Sequence, residues 1–248
     1  MHPLRLILLS GWGVGQRIWQ PLEAHWPTCL AAQAVEWPGY GDTPPLAADA
    51  TLQELADAMA EPLASDAVWV GWSLGGLLAT ALLAHLPPPR GLILLGAGDA
   101  FCVKGQTSAH GGVTRAELNA FQHAFQRAPA ATWQHFLRWQ AQGEPSPRQA
   151  YRQLRDRLGD MPPADNTTLA TGLQWLASLD NRSRLAAPPC PVVHLIGEHD
   201  PFITPTQRRH SVTLNGVGHC PMLSQPHALA IEIARYAAQT TNINTAIL

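Results

Sequence analysis

Short apolar runs alternate with longer stretches of helical periodicity along most of this chain. Leu4 to Leu9 is the first run, and blocks of this kind predict strands covered on both faces, as in a parallel sheet. A weaker strand is expected over Cys29 to Glu36. Clearer ones follow over Val68 to Val70, Gly91 to Leu95 and Val192 to Ile196, with a last strand over His210 to Leu214. Thr51 to Leu63 reads as a helix: Thr51 caps it, Glu54 stands three residues on, and Leu52, Leu55, Met59 and Leu63 form one stripe. Leu77 to Leu86 is a second helix, stopped by Pro87-Pro88-Pro89, and Pro226 to Ala238 is the final one.

Strands alternating with helices predict an α/β fold with a mostly parallel sheet flanked by helices. From Asp99 to Leu185 the texture changes. No further strand is expected there; the periodicity is helical, and Trp, Gln and Arg are abundant. The organisation read from this is a core of residues 1–98 and 186–248, with a helical cap, residues 99–185, inserted into it. There are no internal repeats and no low-complexity tract.

Composition narrows the classes. The chain has 248 residues, 46% hydrophobic and 14% charged, with a formal net charge of −2. This suits one well-buried domain and gives no reason to expect nucleic acid or a membrane surface as partner. The first apolar run is too short for a signal or spanning segment, so a cytoplasmic protein is expected. Cys29, Cys102, Cys190 and Cys220 are widely spaced and match no zinc or redox pattern; reduced, mostly buried thiols are expected, with no metal and no cofactor. A monomer is expected.

The chemistry gathers where apolar runs end. Val68-Trp69-Val70 leads into Gly71-Trp72-Ser73-Leu74-Gly75 and then a helix, which is the context that gives a G-x-S-x-G string its meaning: a serine on a strained strand-to-helix elbow. A serine hydroxyl needs a base, and that base needs an anion to fix its tautomer. On such elbows the order is serine, acid, histidine, and here Ser73 is followed by Asp200 and His219, each just beyond a strand end. His199 competes for the base, but neighbours at a strand end point in opposite directions, so His199 and Asp200 cannot both face the serine. The oxyanion of acyl transfer needs two fixed N–H donors, each worth about 3 kcal/mol of barrier. Leu74, directly after the serine, supplies one. The loop after the first strand, at Trp12, supplies the other, with the Trp12 indole walling the pocket.

Taken together, Leu-Ile-Leu-Leu-Ser-Gly-Trp-Gly (6 to 13), Glu-Trp-Pro-Gly-Tyr-Gly (36 to 41), Gly-Trp-Ser-Leu-Gly-Gly (71 to 76) and Gly-Glu-His-Asp (197 to 200) resemble the α/β-hydrolase superfamily. Within it the chain most resembles the pimeloyl-[acyl-carrier protein] methyl ester esterases of biotin synthesis. That narrower likeness rests on the Trp-Gly after the first strand and on a cap pattern of Phe136 to Gln140, Gly143, Arg148-Gln149, Arg152, Leu154, Gly172-Leu173, Leu176 and Asp180. The resemblance implies Ser73 as nucleophile, Asp200 as acid and His219 as base. It implies an oxyanion hole at Trp12 and Leu74, and an acyl chain lined by Phe136, Leu137, Arg138, Trp139 and Gln140. The implied partner is an acyl carrier protein bearing a pimeloyl methyl ester. Three features depart from the family: Ser10 stands where a histidine is usual, the N-terminal hairpin is largely missing, and Asp200 and His219 are only nineteen residues apart. The crossover between the last two strands is therefore expected to be a short turn or stub of helix.

Charge adds a docking expectation. Residues 100–185 carry ten Lys and Arg against six Asp and Glu, so a basic cap sits on an acidic body. Pro147 to Leu158 predicts an amphipathic helix with Tyr151, Leu154 and Leu158 inward and Arg148, Arg152 and Arg155 on another face, suited to an acidic carrier. Pairing of these arginines with Asp156 and Asp160 is the plainer alternative. A generalist short-chain carboxylesterase or thioesterase, and a hydrolase-fold binding protein with a decayed triad, stay open as alternatives. Haloperoxidase-like or C–C-bond hydrolase chemistry is not excluded by the residues either.

Overall fold

The computed structural model describes residues 3–103 and 111–240. The chain enters as strand β1 (Leu4–Leu9), passes through a 3-10 segment (Gln16–His25) to β2 (Leu30–Val35), and continues into helix α1 (Leu52–Met59). Thr51 caps α1 as expected, in a reciprocal box with Glu54. Strand β3 (Val68–Trp72) runs into α2 (Leu74–Leu82), and β4 (Gly91–Leu95) follows. Every residue of β3, α2 and β4 is buried, which is why their sequences lack any polar alternation.

The segment expected as a cap holds α3 (Arg115–Arg127), α4 (Pro129–Gln140), α5 (Pro147–Leu158), α6 (Asn166–Ser178) and α7 (Arg182–Ala186). It is not purely helical. Two-residue strands β5 (Cys102–Val103) and β6 (Val113–Thr114) pair in parallel, correcting the expectation of no further strand. Runs of two residues carry no periodicity for a sequence pattern to register. The core then resumes with β7 (Val192–Gly197), α8 (Pro205–Arg208), β8 (Val212–Leu214), α9 (Pro221–Ser224) and α10 (Pro226–Thr240). The crossover from β7 to β8 is thus a four-residue helix, in keeping with the short spacing. All four cysteines are free; Cys190 and Cys220 are buried, Cys29 and Cys102 only half-buried.

The six core strands form one wholly parallel sheet in the order β2-β1-β3-β4-β7-β8. From β1 the chain steps outward to β2, then returns past β1 and proceeds the other way. The reversal lies between β1 and β3, and in open parallel sheets functional groups collect in the crevice at the carboxyl ends of such a pair. β1 ends in Ser10-Gly11-Trp12 and β3 ends in Ser73.

Three pieces of backbone meet there with no space between them. A Cβ on Gly71 would lie 2.5 Å from the Gly76 Cα, and one on Gly75 would lie 2.6 Å from the Leu9 and Ser10 carbonyl oxygens. These are close approaches to main chain, which cannot swing aside as a side chain could. We expect Gly71→Ala to cost about 3 kcal/mol, as overpacking into a dense core does. Urea unfolding of the variant beside the native chain measures it, and an unchanged midpoint would contradict the packing described.

Candidate active site

Ser73 occupies the turn between β3 and α2 with φ 56° and ψ −124°, the sole non-glycine residue at positive φ among the described residues. Such backbone costs about 1–3 kcal/mol and persists only where its surroundings over-determine it. Here they do. The Ser73 N–H donates to the Leu95 carbonyl at 2.9 Å, its carbonyl accepts from the Gly76 N–H at 3.0 Å, and a Cβ on Gly11 would press within 2.9 Å of the Ser73 Cβ.

Asp200 and His219 come together beneath the cap, each 1% exposed. Asp200 Oδ2 and His219 Nδ1 are 2.8 Å apart, and the second carboxylate oxygen accepts the Phe202 N–H at 2.9 Å. With Nδ1 directed at the carboxylate, Nε2 is the nitrogen left over; it is buried with no hydrogen-bond partner among the described residues. The Trp72 indole, one residue before the serine, donates to the His219 carbonyl at 2.8 Å and tilts against the imidazole at 5.2 Å. Phe202 also meets that ring, edge-on at 4.6 Å. Gly96, at φ 56°, leaves the necessary opening, since a Cβ there would lie 3.0 Å from both Asp200 Oδ2 and His219 Nδ1. His199 is turned away and half-exposed, its ring 3.8 Å from Glu198.

The short crossover brings a support that the sequence reading missed. Arg208, at the end of α8, donates to the carbonyls of Gly197 and Asp200, each at 2.5 Å, and to that of Ile203 at 3.3 Å. One guanidinium with five donors thereby braces the turn that carries Asp200. A basic residue on a polar four-residue stub gave no signal of this.

Leu74 opens α2, so its N–H has no intrahelical acceptor. Trp12 lies in the turn after β1, and no backbone bond engages its N–H among the described residues, whereas the next N–H, of Gly13, is taken by the Tyr40 hydroxyl at 3.0 Å. The Trp12 indole reaches into the cap. It donates to the Leu169 carbonyl at 2.8 Å and meets Phe121, Phe125 and Phe136 edge-on. Trp133 of the cap returns the link by donating to the Gly13 carbonyl at 2.7 Å.

Residues 136 to 140 occupy a whole turn of α4 and so look in several directions. Phe136 and Trp139 contact Phe202, at 5.6 and 4.9 Å between rings. Leu137 is buried in the core, Arg138 lies over the Tyr151 ring, and Gln140 is buried with neither side-chain polar atom bonded. A narrow apolar cavity of about 30 Å³ lies beside Leu74, between the body (Trp37, Tyr40, Leu46) and α6 (Thr171, Trp175). Its walls are far apart in sequence, and so no local pattern pointed to it. On α5, Leu154 is buried and Tyr151 and Leu158 are half-buried, as expected. Arg148 and Arg152 are exposed, while Arg155 is paired with Asp160.

A half-buried carboxylate sits at the end of the loop that follows β1, beside Gly15. Glu36 accepts the Gln16 N–H at 3.0 Å, and its other oxygen is buried without a partner. Burial raises its pKa above the usual carboxylate range, against the opposing pull of that N–H and of Arg17.

Among known proteins, the Alpha/beta hydrolase family profile matches residues 6–232. The pimeloyl-[acyl-carrier protein] methyl ester esterase of Aromatoleum aromaticum is 31% identical over 241 residues, covering 92% of this chain and 96% of the relative. The Vibrio vulnificus protein of the same name is 28% identical over 94% of both chains. Of solved structures, an esterase from Exiguobacterium antarcticum superposes with a TM-score of 0.75 at 17% identity, covering 95% of this chain and 92% of its own, a likeness of fold.

The Glu36 assignment has a pH signature. A carboxyl whose folded pKa is raised contributes stability below its unfolded pKa and loses it as pH rises through the folded value. Glu36→Gln, which keeps an acceptor for Gln16, is therefore expected to match the native chain in urea unfolding at pH 4 and to be more stable at pH 7. Equal stability at pH 7 would refute the desolvation argument.

Proposed function

The chain belongs to the alpha/beta hydrolase family and groups with its pimeloyl-[acyl-carrier protein] methyl ester esterases; on that premise we propose that it hydrolyses the methyl ester of a pimeloyl group borne by acyl carrier protein, releasing methanol, in biotin synthesis. It is a carboxylic-ester hydrolase. The observation that carries the hydrolytic chemistry is the buried 2.8 Å contact between Asp200 and His219, with Nε2 unengaged at the carboxyl ends of the strands where Ser73 stands; the methyl ester substrate is argued from the likeness to the named relatives. That pairing also speaks against a decayed binding protein.

In the proposed reaction, His219 Nε2 takes the Ser73 hydroxyl proton as Oγ bonds to the ester carbonyl carbon. The N–H groups of Trp12 and Leu74 stabilise the resulting oxyanion. His219 then returns the proton to the departing methoxy oxygen, methanol leaves, and the acyl group remains on Ser73. Water attacks this acyl-enzyme with His219 again as base, and Ser73 departs protonated, leaving a free carboxylate. Asp200 fixes the tautomer and offsets the imidazolium charge throughout. No step calls for a metal or cofactor.

The carrier would approach the cap. Arg148 and Arg152 stand exposed on α5, and no ion pair engages them among the described residues. Arg155, bound to Asp160, is less free to join them. The narrow cavity beside Leu74 favours a second reading, a general esterase of short acyl chains, with the same chemistry.

Two experiments test this. A fluorophosphonate is expected to add its mass to the peptide containing Ser73 and to leave Ser73→Ala unmodified, and the native gene but not Ser73→Ala should restore growth without biotin to a strain unable to complete the pimeloyl moiety. Labelling without rescue would favour the general esterase; no labelling would refute the nucleophile. Replacing Arg148 and Arg152 with Glu is expected to lower kcat/KM on carrier-bound ester about tenfold, each like-charge contact costing steering and affinity, and to spare p-nitrophenyl acetate. Equal loss on both substrates would remove the docking role.

A further inference from the structure

Glu144 is 4% exposed, on the loop that joins α4 to α5, and no step of the proposed reaction uses it. One carboxylate oxygen accepts the Cys220 N–H at 2.6 Å, and the other accepts the Ser224 hydroxyl. The carboxylate thus grips the chain just beyond His219.

The grip is reinforced by shape. A Cβ on Gly218 would lie 2.7 Å from the Gln142 carbonyl oxygen and 2.9 Å from the Glu144 nitrogen. A Cβ on Gly143 would lie 2.1 Å from the His199 carbonyl oxygen, and one on Gly197 would lie 1.9 Å from that of Gly218. The His219 loop is therefore clasped between the end of β7 and the cap, without room for a side chain on either side. The Cys220 thiol, 3.6 Å from the Gln140 carbonyl, closes the contact.

The partners of Glu144 in this loop are donors: a backbone N–H and a hydroxyl. A carboxylate, which only accepts, suits them better than an amide, whose NH2 would confront one of them. We propose that Glu144 is a positioning residue through which the cap holds the His219 loop in register with Asp200 and sustains the imidazolium. The proposal rests on His219 being the base of the reaction above. The charged and titratable groups facing His219 are Asp200 from the β7 turn, Glu144 from the cap and the Cys220 thiol of its own loop. Burial raises the Glu144 pKa, while Ser224, Cys220 and His219 draw it back down. The carboxylate is hence most firmly ionised when the imidazole is charged, the condition under which its charge matters.

The test uses Glu144→Gln and Glu144→Ala in the full chain. Proton NMR of the free protein reads the His219 Nδ1 proton shared with Asp200, and the imidazole carbon-bound protons read its titration, both without substrate. Glu144→Ala is expected to broaden the Nδ1 signal and to lower kcat on p-nitrophenyl acetate about 10²-fold at a KM within about twofold, as a misplaced catalytic group does. Glu144→Gln, nearly isosteric, should recover part of kcat while moving the imidazole titration and the acid limb of kcat/KM to lower pH. If Glu144→Ala does not fold, the titration of Glu144→Gln decides. A native-like Nδ1 signal and an unmoved titration midpoint would overturn the proposal. So would a kcat loss matched by loss of folded protein. A native chain that neither labels with fluorophosphonate nor hydrolyses the ester would sink the hydrolase reading instead, and the spectra would still decide the positioning of His219.

Discussion

Everything at the site depends on how closely three backbones approach one another. The end of β1, the end of β3 and the start of α2 touch without intervening side chains, because Gly71 and Gly75 have none to offer. That contact forces Ser73 into positive φ and brings the turn carrying Trp12 beside the first N–H groups of α2. The strain of one residue is held by a fully buried strand and helix on either side. A looser junction would let the elbow relax, and Ser73 would lose its fixed place at the start of α2.

Much of this was legible because each part is local. The apolar blocks of β1, β3 and β4, the G-x-S-x-G turn and the Thr51 cap each declare themselves within a few residues. Asp200 and His219 could be read because both follow strand ends, where the topology puts functional groups whatever the length between them. What escaped were interactions across long sequence separations. Arg208 gathers three carbonyls from a stub of helix too short to show a pattern, and Glu144 reaches from the cap to Cys220, 76 residues away. The cavity beside Leu74 is built from four separate stretches. The α4 segment was read as one lining, yet at 100° per residue five consecutive side chains cannot share a face; Phe136 and Trp139 join the aromatic wall while Arg138 lies on Tyr151.

The shortened connection between Asp200 and His219 raised the question whether a triad could survive it. Across it Asp200 and His219 stand 2.8 Å apart, and the connection is a capped four-residue helix that ends in the Arg208 brace. Removing chain between two anchored points also limits their relative motion, as a shorter loop has fewer conformations to lose.

Trp12 belongs to two parts of the molecule at once. Its main chain follows β1, and its indole is bonded to the Leu169 carbonyl and wedged among three phenylalanine rings of the cap. Lifting the cap would pull on the very residue whose N–H faces the forming oxyanion in the proposed mechanism. The residue that carries the proposed donor is thereby also a fastening point of the cap.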